Sequence, residues 1–122
     1  MISKELLSEI CQTNLMSLGK LEVVGSDICL YDCSMQPDIY MCWNIYEFAH
    51  KCKEWAYTNK YRLSSGQHRL NTKQEHYINN QIASYFCSVY YITNDDSDIQ
   101  IDANTEPEAI FKACQWILEN SK

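Results

Sequence analysis

The sequence predicts an α+β fold: one antiparallel β-sheet of about four to five strands packed by three helices. Three observations carry that expectation. Residues 105–118 open with a reciprocal cap and continue as an amphipathic stripe, the mark of a helix. Residues 82–92 set Ala83, Tyr85, Cys87, Val89 and Tyr91 at alternate positions, the mark of a strand with one face in the core. Helical patterns fall before, between and after the strand patterns, so the strands pair antiparallel and the helices cover them.

Taken in order, residues 3–18 form the first expected helix. Ser3 caps it, Leu7, Ile10, Cys11, Leu15 and Leu18 make its buried face, and Gly19 is its stop. Lys20–Val24 and Ile28–Asp32 follow as two short strands, with Gly25, Ser26 and Asp27 as the turn. Pro37 opens a second helix that runs to about Thr58. Ile39, Cys42, Ile45, Tyr46, Ala49, Cys52 and Ala56 form its stripe, with Met41, Phe48 and Trp55 as a second line beside it. So wide an apolar face is expected to be covered on more than one side. Tyr61–Ser65 read as a further strand, residues 66–81 as a polar connection, and Asp98–Asp102 as the strand after an acidic turn. In the closing helix Thr105 accepts from the Glu108 N–H while the Glu108 carboxylate reaches back, and Pro107 occupies the first turn. Ile110, Ala113, Cys114, Ile117 and Leu118 then face the core.

A chain of 122 residues is the size of a single domain, 1–122. No apolar run approaches the ~18 residues of a membrane span. The start of the chain has neither the basic residues nor the apolar stretch of a signal peptide, so the expected location is the cytoplasm. The seven cysteines are odd in number, contain no Cys-x-x-Cys pair, and mostly fall on periodic patterns, as reduced core thiols do. The net charge of −6 argues against direct nucleic-acid binding, which wants a basic stripe. Charge is also segregated: six acids and no Lys or Arg between Asp95 and Glu108, four basic residues and no acid between Lys60 and Lys73.

Two stretches resemble a known family, the phage ABA sandwich domain. Residues 37–47, with Asp38, Ile39, Trp43 and Glu47, are similar to that family's Asp-Ile…Trp-x-x-x-Glu helix start. Residues 103–113, with Ala103, Thr105, Pro107, Ala109, Ile110 and Ala113, are similar to its closing segment. The resemblance covers about residues 37–118, with a longer connection at 66–81 and a more extended N-terminal strand pair than the family usually has. It implies a bacteriophage or prophage origin and a three-layer, α/β/α sandwich-like fold, and it carries over no catalytic residue.

No metal or cofactor site is expected from the residues. Cys29 and Cys33 share a strand and its end, and His50 and Cys52 diverge on a helix, so neither supplies half of a zinc site. Asn94, Asp96 and Asp98 imitate a calcium loop until Ile99 stands where glycine is required and Thr105 where glutamate is. His50, His68 and His76 have no nucleophile elbow or cysteine-protease signature beside them, so no enzyme is expected.

Two binding readings remain. In the first, Asp95, Asp96, Asp98, Asp102, Glu106 and Glu108 form an acidic surface that binds and inhibits a host protein or ribonucleoprotein, a CRISPR-type defence factor for example, by imitating phosphate charge. In the second, Tyr61, Arg62, His68, Arg69 and Lys73 form a basic loop for a small ligand or nucleotide, set against the plainer reading of a solvated polar loop. Three tryptophans and nine tyrosines exceed what a small core needs, and a homodimer is the default expectation from them.

Overall fold

The computed structural model describes residues 2–32, 39–68, 77–78, 81–82 and 84–120. In chain order its elements are α1 (Lys4–Cys11), β1 (Leu21–Val24), β2 (Asp27–Tyr31), β3 (Ile39–Asn44), α2 (Ile45–Thr58), β4 (Tyr61–Gln67), β5 (Tyr77–Ile78), β6 (Gln81–Ile82), β7 (Tyr85–Tyr91), β8 (Ile99–Ala103) and α3 (Glu106–Asn120).

Thr105 decides where α3 starts. Its Oγ1 accepts from the Glu108 N–H at 3.3 Å and its carbonyl oxygen from the Ala109 N–H at 3.1 Å, which satisfies two of the helix's first donors. Ala109, Ile110 and Phe111 are consecutive and all buried, as are Ala113, Cys114 and Ile117, so α3 is covered on more than one side. For α2 the start is set by Asn44, whose Oδ1 accepts from the N–H groups of Tyr46 and Glu47.

Two helix expectations are corrected here. The first helix ends at Cys11, because Gln12 turns left-handed at φ 54° and its N–H closes the last turn. Ser8 Oγ then accepts from the Leu15 N–H at 3.0 Å, which folds the chain back and buries Leu15 in the core. The second helix does not begin at Pro37, which lies outside the described residues; Ile39–Asn44 are strand β3, and only from Ile45 onward is the chain helical.

The sheet expectation is corrected as well. Among the described residues there is no single sheet of four to five strands in an α/β/α sandwich. There are two three-stranded antiparallel sheets, β1-β2-β3 and β4-β7-β8, and a short pairing of β5 with β6. The broader α+β class stands. The physical reason for the difference is β3: it pairs with β2 and completes a separate sheet for the N-terminal strands. Gly25, at φ 63°, supplies the positive φ needed at the first position of the two-residue β1–β2 loop.

Helices α2 and α3 lie together on one face of β4-β7-β8, over Leu63, Cys87, Val89 and Ile101. Helix α1 packs on α2 and α3, with Ser3 Oγ donating to Gln115 Oε1 at 2.7 Å. The other sheet reaches the same core through aromatic rings. Trp43 of β3 meets Phe48 at 5.7 Å between centroids, and Phe48 meets Phe111 at 6.2 Å. Ile28 and Leu30, both fully buried, complete that contact.

The core also holds thiols. Burial pushes Cys87 up to about 12 from an ordinary 9.0, with Cys114 and Glu106 adding to the rise and Lys53 opposing it. A folded-state pKa above the unfolded one favours the fold while the thiol is neutral in both states. That contribution is complete below about pH 9 and is lost as pH rises toward 12. Urea unfolding should therefore show stability falling across this window, with Cys87 supplying up to about 1.4 kcal/mol per pH unit. Cys87→Ala should lessen the slope by that amount, and an unchanged slope would contradict the burial argument.

Candidate functional site

Strand register sorts the residues expected to work together. On β4 the side chains of Tyr61, Leu63 and Ser65 face the helices, opposite Tyr91, Val89 and Cys87 of β7. Arg62, Ser64 and Gly66 face the other way, with Tyr90, Ser88 and Phe86. Tyr61 packs edge-on to Tyr91 and Trp116, with centroids at 5.6 and 6.1 Å, so its ring is part of the helix-facing interior. Arg62 stacks its guanidinium 4.4 Å from the centre of the Tyr90 ring.

His68 continues the outer side beyond the end of β4. Its Nε2 lies 2.8 Å from Asp102 Oδ1 on β8, and its ring packs 5.1 Å from Phe86 on the strand between. One member of the expected basic loop is thus the partner of one member of the expected acidic surface. The pair ties β4 to β8 across β7, at 12% and 25% side-chain exposure. Arg62 and His68 stand six residues apart along an extended segment, roughly 20 Å, so they do not converge on a common ligand. Arg69 and Lys73 lie outside the described residues.

The acidic set divides in two. Asp102 is engaged by His68, Glu106 accepts from Ser65 Oγ at 3.2 Å, and Glu108 meets Lys112 Nζ at 3.5 Å. Glu106 and Glu108 also sit in the first turn of α3, where negative charge is stabilised by the helix dipole. These three carboxylates have local work, which weakens their claim as a phosphate-like surface. Asp95, Asp96 and Asp98 are exposed on the β7–β8 turn, and none is in an ion pair among the described residues.

What stands beside those three acids was not singled out by the charge pattern. The Ile92 N–H donates to the Lys60 carbonyl oxygen, and the Lys60 N–H to that of Tyr57. These bonds hold the end of α2 against the β7–β8 turn. Tyr57 is 61% exposed there, and Tyr91 and Ile92 are each 37% exposed. The tip therefore has apolar side chains next to an acidic rim, with Lys60 adding one exposed cation. The readable signal was the adjacency of Tyr91 and Ile92 to the acidic run; the contribution of Tyr57 depends on how α2 packs.

At the other end of the molecule α2, the start of β7 and the start of α3 enclose a cleft of about 560 Å³. Tyr46, His50, Lys53, Tyr85, Thr105 and Glu106 line it, with Pro107 and Ile110. Its size and mixture of rings and charges suit a small molecule. His50 is held by Glu54 at 3.1 Å, while Lys53 has no ion pair among the described residues. No sequence spacing announced this cleft, because its walls come from three separate elements.

Among the described residues no three His, Cys, Asp or Glu side chains come together as metal ligands, and no helix is long and apolar enough to cross a membrane. Comparison of the chain with family models, with curated proteins and with solved structures finds no match.

Proposed function

We propose that this chain is a small phage- or prophage-type accessory protein without catalysis, which binds a host protein or ribonucleoprotein and inhibits it through the β7–β8 tip. The observation that carries the reading is the pairing of exposed Tyr57, Tyr91 and Ile92 with exposed Asp95, Asp96 and Asp98. Aromatic anchors supply most of the affinity at protein interfaces, and surrounding charges set partner choice and encounter rate. A −6 chain with such a tip suits a basic groove of the kind that host defence factors offer to nucleic acid. The phage origin rests on the resemblance over residues 37–118 alone.

Salt supplies the test. Host proteins retained by the immobilised chain at low ionic strength should be released progressively over a roughly tenfold rise in salt, because exposed charges lose reach as the Debye length shortens. Retention that ignores salt would remove the charge-led reading.

The cleft favours a second reading, a binding protein for a small anionic ligand or nucleotide. Its residues would then be Lys53, His50, Tyr46 and Tyr85, not the basic loop. Lys53→Glu separates the two, since it reverses the charge of the cleft's lysine and leaves the tip unchanged.

A further inference from the structure

Two thiols thirteen residues apart meet on the β2–β3 ladder. Cys29 and Cys42 are Cα partners there, and their Sγ atoms lie 2.8 Å apart. The Ile45 N–H donates to the Ser26 carbonyl oxygen just beyond the ladder's end. Hydrogen-bonded and non-hydrogen-bonded pairs alternate along antiparallel strands. With 26/45 of the bonded kind, 27/44 is non-bonded, 28/43 bonded and 29/42 non-bonded. In such a pair the Cα atoms stand only about 4.5 Å apart and the side chains converge, inside the range a disulfide spans.

The two thiols differ in access. Cys42 is exposed on edge strand β3, and Cys29 is covered by its immediate neighbours. The two sulfurs share a hydrogen bond, and that contact holds the Cys29 thiol up at about 11, with its own burial adding to the rise. Cys42 Sγ is thus the sulfur of the pair that solvent reaches. Cys52, Cys87 and Cys114 are fully buried and act as internal controls.

We propose that Cys29 and Cys42 are a redox modification site, which a low-molecular-weight disulfide of the glutathione type converts into an intramolecular disulfide stapling β3 to β2. Cys42, having lost its proton to water, attacks one sulfur of the small disulfide. That S–S bond breaks, a mixed disulfide forms on Cys42, and one small thiolate leaves and is protonated. Cys29 then attacks the Cys42 sulfur, its proton passes to the second departing small thiolate, and the internal S–S bond closes. Two protein thiols lose two electrons in total, and one small disulfide becomes two thiols. The staple fixes an edge whose Ile39, Tyr40 and Met41 are exposed at 62%, 49% and 43%. An unsecured apolar edge is a place where strands fray or pair wrongly. The site lies on the sheet that carries neither the acidic tip nor the cleft, so it stands independently of the function proposed above.

The test treats the full chain with glutathione disulfide, alkylates the remaining thiols and cleaves before aspartates. Cuts at Asp27, Asp32 and Asp38 put Cys29, Cys33 and Cys42 on three different peptides, and a second cleavage after lysines separates Cys42 from Cys52 at Lys51 and Cys52 from Cys87 at Lys53. The expected product joins the Cys29 and Cys42 peptides, lighter than the two free peptides by two hydrogens, and persists in Cys33→Ser. Cys29→Ser should instead trap glutathione on Cys42, because the resolving sulfur is gone, while Cys42→Ser, at an exposed position, should give no link. A bridge through Cys33 would overturn the proposal. So would Cys29 and Cys42 oxidising no faster than buried Cys52, Cys87 and Cys114.

Discussion

Phe111→Ala is expected to cost about 3–5 kcal/mol of folding stability, read as a lower urea midpoint with little change in slope. Phe111 is 1% exposed and touches Phe48, which in turn touches Trp43. That row of rings is where β1-β2-β3, α2 and α3 share one core, so its loss is felt by both sheets. Domains of this size hold about 5–15 kcal/mol in all, and the variant would keep only part of that. Phe48→Ala should be similarly severe. Because the two rings are in contact, the double variant should cost less or more than the sum by about 0.5–3 kcal/mol. A Phe111→Ala unfolding free energy within about 1 kcal/mol of wild type would mean that the helices do not join the two sheets in this way.

The second large effect concerns the tip. Asp95→Lys, Asp96→Lys and Asp98→Lys combined should abolish capture of the host partner while leaving the fold intact. All three side chains are exposed, and none is in an ion pair among the described residues, so stability should move little. Three reversed charges against a basic surface turn attraction into repulsion, which costs several kcal/mol of binding. The same reversal at Asp102 or Glu106 would be a poor experiment. Asp102 holds His68, and Glu106 accepts from Ser65, so a loss of binding there could not be told from a loss of structure.

How much of this was legible in the sequence depends on how local each feature is. Helix α3 was readable because Thr105, Pro107 and Glu108 fix its start within four residues and the stripe from Ile110 to Leu118 fixes its buried side. Residues 39–44 fit a helix in the sequence because Ile39, Cys42 and Ile45 recur at three-residue steps, a period that marks a helix and not a strand. Asn44 with Glu47 three residues later was the cap that would have arbitrated. The end of α1 was missed for want of a glycine: Gln12 takes the left-handed turn that usually falls to one.

Site features failed where they depend on distant pairing. The His68–Asp102 contact joins residues 34 apart and exists only once β4, β7 and β8 are in register. The Cys29–Cys42 contact could not be seen while Cys42 was assigned to a helix. Charge, by contrast, is written in the sequence, and Asp95, Asp96 and Asp98 stand in the open as their composition suggested. Their neighbours Asp102, Glu106 and Glu108 carry the same charge but are committed to His68, Ser65 and Lys112.

The measurement that bears most directly on the tip as the working surface is capture from host lysate by three immobilised forms side by side, read by mass spectrometry. These are the wild type, the Asp95/Asp96/Asp98 lysine triple variant and Lys53→Glu. The partner should be retained by the wild type and by Lys53→Glu and be absent from the triple variant. Retention by the triple variant, or loss only in Lys53→Glu, would contradict the account and move the function to the cleft.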